Sequence, residues 1–212
     1  MYGQSAGGAI VVAHSYANPK SVVRGYIAVS GTTPFTNPTN SSNFNKVAQK
    51  VGCANLTAMA ELDCMQKAYV QALQAGVDAA NPDPQRGLFR PIADGVTVFT
   101  NITDRLEKGL VSKAPLIGGF MFNEPAVFLA FDPNATVAPP KVYIPGEEGL
   151  KCSIKQEIDK RNTQGMRGYR YLYSGNFTNV TPRYWLAGMH SCSWPCSSIS
   201  PILLSFHAEY LS

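Results

Sequence analysis

The chain has 212 residues, of which 45% are hydrophobic and 15% are charged, so it can form one sizeable core and is too apolar for intrinsic disorder. Its net charge of +4 is spread thinly, without a Lys/Arg run or a basic helix face, which argues against nucleic acid or an anionic membrane as a partner. No stretch of the sequence contains the roughly 18 uninterrupted apolar residues of a transmembrane helix.

The first residues form a candidate nucleophile turn. Gly3-Gln4-Ser5-Ala6-Gly7 has the pattern G-x-S-x-G, in which a sharp strand-to-helix turn exposes a serine hydroxyl. Such a short pattern alone usually marks an ordinary turn. The small and apolar run of residues 7–17 strengthens it, because Asn18-Pro19 ends that run as it would end a helix. Ser5 is therefore our candidate nucleophile. Only Met1 and Tyr2 precede Gly3, so we expect the chain to begin in mid-fold.

The sequence indicates a secreted protein. It contains six N-x-S/T sequons, which we predict to be glycosylated at Asn40, Asn55, Asn101, Asn134, Asn176 and Asn179. Met1 begins no signal peptide, because no basic start leads into a hydrophobic core. We therefore expect the signal peptide to lie in a missing N-terminal part.

Cysteine usage agrees with an oxidising compartment. Cys53 and Cys64 bracket a short segment, and we interpret them as a disulfide. By restricting the unfolded chain, such a bond stabilises the folded state by roughly 3 kcal/mol. The pairing of Cys152, Cys192 and Cys196 stays open. The spacing from Cys192 to Cys196 fits neither a two-residue redox motif nor a zinc site, so we predict no metal and no cofactor.

Helical and strand patterns alternate along the chain, which favours an α/β fold. The β-branched and aromatic segment 22–31 predicts a core strand after the first helix. Further predicted elements are helices at 44–51, 62–75, 102–111 and 150–163, and strands at 114–120 and 168–173. We expect Gly76 to end the helix at 62–75, and we assign its apolar residues to the core: Leu62, Met65, Tyr69, Ala72 and Leu73.

Two acidic residues are candidates for a catalytic acid. Glu124 follows the predicted strand 114–120, and functional groups gather at the carboxyl ends of strands in open α/β sheets. On position alone, a catalytic acid and an ordinary loop carboxylate are about equally favoured. Asp94 precedes Gly95, and this order favours a turn residue over a catalytic one.

A general base would have to come from three histidines. His14 lies on the helix that follows Ser5 and points away from it, so we interpret it as a packed residue. His207 lies in a tail without a clear partner. His190, in a loop after a strand, remains as the candidate base. The order Ser5, Glu124, His190 is the order nucleophile, acid, base of α/β-hydrolases.

These segments together resemble the C-terminal half of the type-B carboxylesterases, the family that includes cholinesterases and fungal extracellular lipases. The resemblance is carried by the Cys53/Cys64 pair and by segments 3–8, 24–31, 91–95, 116–124, 169–173 and 188–191. It implies an incomplete α/β-hydrolase fold over residues 1–195, without the N-terminal strands and the oxyanion loop. The tail at residues 196–212 is unassigned. After His190 the chain lacks the glutamate of the family's usual H-S-x-E-x-P.

The resemblance implies a mechanism through an acyl-enzyme. Ser5 attacks an ester carbonyl, His190 accepts its proton, and Glu124 orients the imidazole. The backbone N–H of Ala6 is an oxyanion donor. The resemblance suggests that Ser30 hydrogen-bonds near Glu124, and an ordinary serine at the end of a strand is about equally favoured.

Two functions from different classes follow. The first is a secreted serine hydrolase acting on small-molecule or lipid carboxylic esters, inactive as this isolated fragment. The second is a catalytically silent, esterase-like binding or adhesion module. Such modules typically lose the serine or the histidine, whereas Ser5 and His190 are both present here, which favours the enzyme. The oligomeric state and the acyl and alcohol preferences stay open.

Overall fold

The computed structural model describes residues 1–32, 42–81, 89–124, 126, 134 and 140–175, and for residues 140–150 it describes the backbone alone. The chain divides into two compact units, the first made of Met1–Pro34 with Gly95–Ser212 and the second of Phe35–Asp94. Several sequence predictions lie outside the described residues: those on Asn40, Asn176, Asn179, His190, Cys192, Cys196, His207 and the tail 196–212.

The first unit contains a four-stranded parallel sheet in the order β1-β2-β3-β4. The strands are β1 (Tyr2–Gln4), β2 (Tyr26–Val29), β3 (Leu116–Met121) and β4 (Gly168–Tyr173). The alternating pattern therefore predicted the parallel α/β arrangement, and the bounds of β4 are those expected. Because all four strands run the same way, their carboxyl ends meet at one edge of the sheet.

Among the described residues, the first unit has helices α1 (Ala6–Ala17), α5 (Ile102–Glu107) and α6 (Pro140–Thr163). The described helices of the second unit are α2 (Ser42–Val51), α3 (Ala58–Lys67) and α4 (Val70–Ala80). α1 begins directly after Ser5 and ends before Asn18, as the sequence predicted. α6 starts ten residues before the predicted Leu150.

The core of the first unit lies between the sheet and two helices, α1 and α6. Buried side chains from α1, β2, β3 and α6 form one cluster there, with major members Val11, Val12, Tyr16, Tyr26, Leu116, Ile154 and Ile158. Gly118 on β3 allows α6 to approach closely, since a Cβ at this position would lie 3.3 Å from Cγ2 of Ile154. Helix α6 therefore carries an apolar stripe that covers β3 and β4.

The opposite face of the sheet is apolar but exposed. One residue from each strand forms a row in register across this face. Its members are Tyr2 (51% exposed), Ile27 (39%), Ile117 (36%) and Tyr169 (51%). Parallel sheets are normally covered on both faces, so this row has the composition of an internal surface.

A buried polar network ties the C-terminal half of α1 to α6. The fully buried Arg161 guanidinium donates to the Ser112 carbonyl at 2.9 Å and to Ser15 Oγ at 3.2 Å. Tyr16 OH donates to the Glu157 carboxylate at 2.9 Å. Burial, followed by the negative charge of Glu157, raises the pKa of Tyr16 well above its ordinary value, so the phenol stays protonated. The network fixes the helix that follows Ser5 against the segment that leads into β3.

The second unit corrects the prediction of one helix at 62–75. Residues 62–75 fall in two helices, because the backbone is extended at Ala68 and Tyr69 between α3 and α4. Gly76 does not end a helix but lies inside α4, where a Cβ would come within 3.2–3.3 Å of Val51 and Val47 on α2. The expected core residues are also misassigned, since Leu62, Tyr69 and Ala72 are exposed and α3 buries no residue.

A disulfide joins Cys53 to Cys64 in the second unit, with 5.7 Å between their Cα atoms. Replacing both cysteines with serine is expected to lower the free energy of unfolding by roughly 2–3 kcal/mol, because the unfolded chain regains the entropy of the open loop. Urea unfolding of the oxidised protein and of the double variant measures this difference. Reduced wild-type protein is the control and should unfold like the variant. Equal midpoints for oxidised and reduced wild type would contradict the prediction.

Candidate active site

Ser5 occupies a strained turn between β1 and α1. Its backbone angles are φ 54° and ψ −121°, in a region that residues with a side chain rarely adopt. The turn is held by a 2.8 Å hydrogen bond from the Ser5 N–H to the Val29 carbonyl of β2. Strain of this kind persists only where the surrounding structure enforces it, and it is typical of functional sites.

Two glycines make room for this turn. A Cβ on Gly3 would collide with the Gly7 carbonyl, because the chain doubles back immediately after Ser5. A Cβ on Gly31 would collide with the Ser5 carbonyl oxygen and lie 2.8 Å from the Ala9 N–H nitrogen. Gly3 belongs to the G-x-S-x-G pattern, whereas Gly31 comes from the end of the neighbouring strand. The turn at Ser5, called the elbow below, therefore packs against glycines from two separate parts of the sequence.

Ser30 lies next to this turn, at the carboxyl end of β2. The register pairs Gln4 with Val29, so Ser5 and Ser30 follow directly after paired positions on adjacent strands. Ser30 also has a positive φ of 50°, and its N–H donates to the Gly119 carbonyl of β3 at 2.8 Å. The backbone turns away from the sheet at both serines.

Glu124 lies three residues beyond β3 and is fully buried. Its Oε1 atom accepts hydrogen bonds from Ser30 Oγ and, at 2.6 Å, from the Met121 N–H. An exposed loop carboxylate would be solvated instead, whereas Glu124 is fully enclosed and hydrogen-bonded. A buried carboxylate with fixed donors has a defined orientation and can orient a histidine.

Two further side chains near Glu124 were not identified from the sequence. Lys151 on α6 lies 5.6 Å from the ring centre of Phe120 and 5.8 Å from that of Phe122. Partial burial lowers the pKa of Lys151, and the negative charge of Glu124 partly offsets this effect. Tyr171 on β4 is partly buried, and this burial, followed by the charges of Tyr2 and Glu124, raises the pKa of its phenol. Tyr171 falls in segment 169–173, which carries the family resemblance, but that resemblance gives it no role at the site; no motif marks Lys151. Both residues reach the site through helix and sheet packing.

Of the three candidate histidines, the structure describes His14, whereas His190 and His207 lie outside the described residues. His14 contacts Tyr26, with 3.2 Å between its Nδ1 and the Tyr26 hydroxyl oxygen, and therefore packs against β2. The site thus combines Ser5, Ser30 and Glu124 at one edge of the sheet, while His190 lies outside the described residues. Gly95, with φ 73°, adopts the left-handed conformation typical of a turn, as expected for Asp94-Gly95.

Within the described residues, no cluster of three or more His, Cys, Asp or Glu side chains has the arrangement of a metal site. Among the helices that can be described, none has the length and apolar character needed to cross a membrane.

Replacing Ser30 with alanine removes the hydroxyl that donates to buried Glu124. A hydrogen bond to a charged group contributes about 1.5–3 kcal/mol. In the longest secreted polypeptide that contains this sequence, we therefore expect kcat/KM for an ester to fall by roughly 10- to 100-fold. The matched control is Thr32→Val, three residues beyond the end of β2. In the described part of the chain, the buried Thr32 hydroxyl has no hydrogen-bond partner. Equal losses in the two variants would show that the Ser30 hydroxyl has no special role.

The sequence matches the model of the carboxylesterase family over residues 1–175. A chlorogenic acid esterase from Aspergillus niger is 36% identical over 99% of this chain. Secreted lipase 5 from Gibberella zeae is 32% identical over 92% of this chain. The chain spans 40% of the length of each of these two relatives.

Two solved structures share the fold at low sequence identity. EstA from Aspergillus niger superimposes with a TM-score of 0.65 and 15% identity, covering 100% of this chain and 50% of EstA. A PNB esterase superimposes with a TM-score of 0.58 and 19% identity, covering 92% of this chain and 47% of that protein. The described strands and helices are therefore part of an α/β-hydrolase fold.

Proposed function

The chain belongs to the carboxylesterase family, and from this premise we propose that it is a secreted serine hydrolase of carboxylic esters with the triad Ser5, Glu124 and His190. The observation that carries the proposal is the strained turn at Ser5, with φ 54°, at the same edge of the sheet as the buried Glu124 carboxylate, two strands away. An ordinary turn would require neither this strain nor the close packing of Gly3 and Gly31 around it.

In the proposed reaction, Ser5 Oγ attacks the ester carbonyl carbon while the His190 imidazole accepts the hydroxyl proton. Glu124 holds the imidazole in the required tautomer and stabilises the imidazolium. The alcohol leaves with a proton from His190. Water then attacks the acyl-enzyme with the same base, which releases the carboxylic acid and restores Ser5.

The negative oxygen of the tetrahedral intermediate needs donors near Ser5. Ala6 is the first residue of α1, so no carbonyl within the helix can accept from its backbone N–H. The partial positive charge at the start of α1 favours the same oxygen. We assign the Ala6 N–H as one oxyanion donor.

The two relatives are named for a chlorogenic acid ester and for lipase activity. We propose small-molecule or lipid esters as the substrate class for this chain. We also propose that these 212 residues alone are inactive, and that the protein is secreted. The disulfide between Cys53 and Cys64 supports secretion, since such bonds persist in oxidising compartments.

Labelling with a fluorophosphonate tests the proposed nucleophile. The test uses the longest secreted polypeptide that contains this sequence, followed by mass spectrometry of the labelled peptide. We expect the phosphonyl group on Ser5, because only an activated serine reacts at a useful rate. Heat-denatured protein is the control and should not be labelled. A label on any other serine would contradict the assignment.

A further inference from the structure

One sequon lies in a distinctive position in the second unit. Asn55-Leu56-Thr57 falls inside the loop that the Cys53–Cys64 disulfide closes, just before α3. Asn55 is exposed in a turn and has a left-handed backbone, with φ 65°. Its side chain forms no hydrogen bond with any residue that the structure describes. The amide nitrogen is therefore free to carry a substituent.

Another described sequon has a different environment. The side-chain oxygen of Asn101 accepts a 3.0 Å hydrogen bond from the Asp104 N–H and so caps α5. This asparagine has a structural role whether or not it is glycosylated. Asn55 has no comparable role at the start of α3, where the flanking Thr57 also makes no side-chain cap bond.

An apolar surface begins at the residue after Asn55. We define the α3 apolar surface as Leu56, Met59 and Leu62, which recur at three-residue intervals and are all exposed, Met59 to 76%. Leu62 lies about 6 Å along the helix axis from the first residue of α3, so the surface stays close to the sequon. Contiguous exposed apolar side chains favour association or aggregation unless something covers them.

We propose that Asn55 carries an N-linked glycan that covers the α3 apolar surface. The proposal rests on the secretion proposed above, and the disulfide around Asn55 supports it because oxidising compartments include the one where N-glycans are attached. In the transfer, Asn55 Nδ2 bonds to the anomeric carbon of the first N-acetylglucosamine of a lipid-pyrophosphate-linked oligosaccharide. The lipid pyrophosphate leaves, and the amide loses one proton. A bulky, hydrophilic glycan on this turn blocks the contact of Leu56 and Met59 with other protein molecules.

The test expresses the chain behind a secretion signal in yeast. Glycosidase release in ¹⁸O-water followed by peptide mass spectrometry measures occupancy at Asn55. Thr57→Ala removes the sequon, whereas Thr57→Ser keeps it; neither change breaks a side-chain cap bond. Thr103→Ala is the matched control, since it removes the sequon at Asn101 and leaves the asparagine cap intact.

We expect occupancy at Asn55 in the wild type and in Thr57→Ser, and none in Thr57→Ala. Binding of anilinonaphthalene sulfonate and self-association should rise severalfold in Thr57→Ala and stay at the wild-type level in Thr103→Ala. Because Thr57→Ala could misfold, wild-type protein is also trimmed to one sugar with an endoglycosidase after folding, and it should show the same increase. An unoccupied Asn55, or trimmed protein that binds no more dye, would overturn the proposal. None of these measurements depends on esterase activity.

Discussion

Ester turnover is expected to fall by about 10⁶-fold when Ser5 is replaced by alanine, because the loss of a triad nucleophile removes the covalent route itself. The substitution preserves the fold, since the Ser5 hydroxyl makes no cap bond and the turn is held by the backbone bond to Val29. The measurement is kcat for a p-nitrophenyl ester, together with fluorophosphonate labelling, in the longest secreted polypeptide that contains this sequence.

Ser21→Ala is the matched control for the Ser5 variant. Ser21 accepts a backbone hydrogen bond from Val23 and lies outside the candidate site, so its replacement should leave turnover unchanged. Residual turnover within a few powers of ten of the wild type, or labelling that survives in Ser5→Ala, would identify another serine as the nucleophile.

The turn at Ser5 could be predicted from the sequence because neighbouring residues determine its backbone geometry. Gly3, Ser5 and the apolar run that forms α1 are contiguous, and each determines backbone geometry within a few residues. For Glu124, the sequence predicted a position after a strand but neither its burial nor its hydrogen bond from Ser30. Both depend on the pairing of β2 with β3. Lys151 lies on α6, 27 residues after Glu124 in the sequence (151 − 124), and no pattern encodes its approach to that carboxylate.

The second unit shows why periodicity misassigned the helix at 62–75. The segment Lys67-Ala68-Tyr69-Val70 contains no proline, glycine or strong cap residue, so nothing local predicts an extended backbone there. Gly76 was interpreted as a helix end, although its missing side chain serves the close approach of α4 to α2. Glycine has both uses, and only the packing partner distinguishes between them.

The 212 residues expressed alone are expected to show little or no esterase activity. In the type-B carboxylesterases, a glycine-rich loop ahead of the nucleophile turn supplies further oxyanion donors. Ala6 is the one oxyanion donor that we assign within these 212 residues. One lost donor costs roughly 10² to 10³ in turnover. β1 also has only three residues and lies at the edge of the described sheet, so the strained turn at Ser5 is supported from β2 alone.

The same chain is expected to self-associate through the exposed row on the sheet face. This row exposes one apolar or aromatic side chain from each strand: Tyr2, Ile27, Ile117 and Tyr169. Exposed surfaces of this kind favour association. Size-exclusion chromatography and a short-chain ester assay measure the two properties together. Ile117→Lys is the matched variant: it should reduce association without creating activity, because it changes the row and leaves Ser5 and Glu124 in place. If the purified 212 residues were monomeric and turned over within tenfold of an intact relative, with activity abolished by Ser5→Ala, the support required around the elbow would be smaller than the geometry suggests.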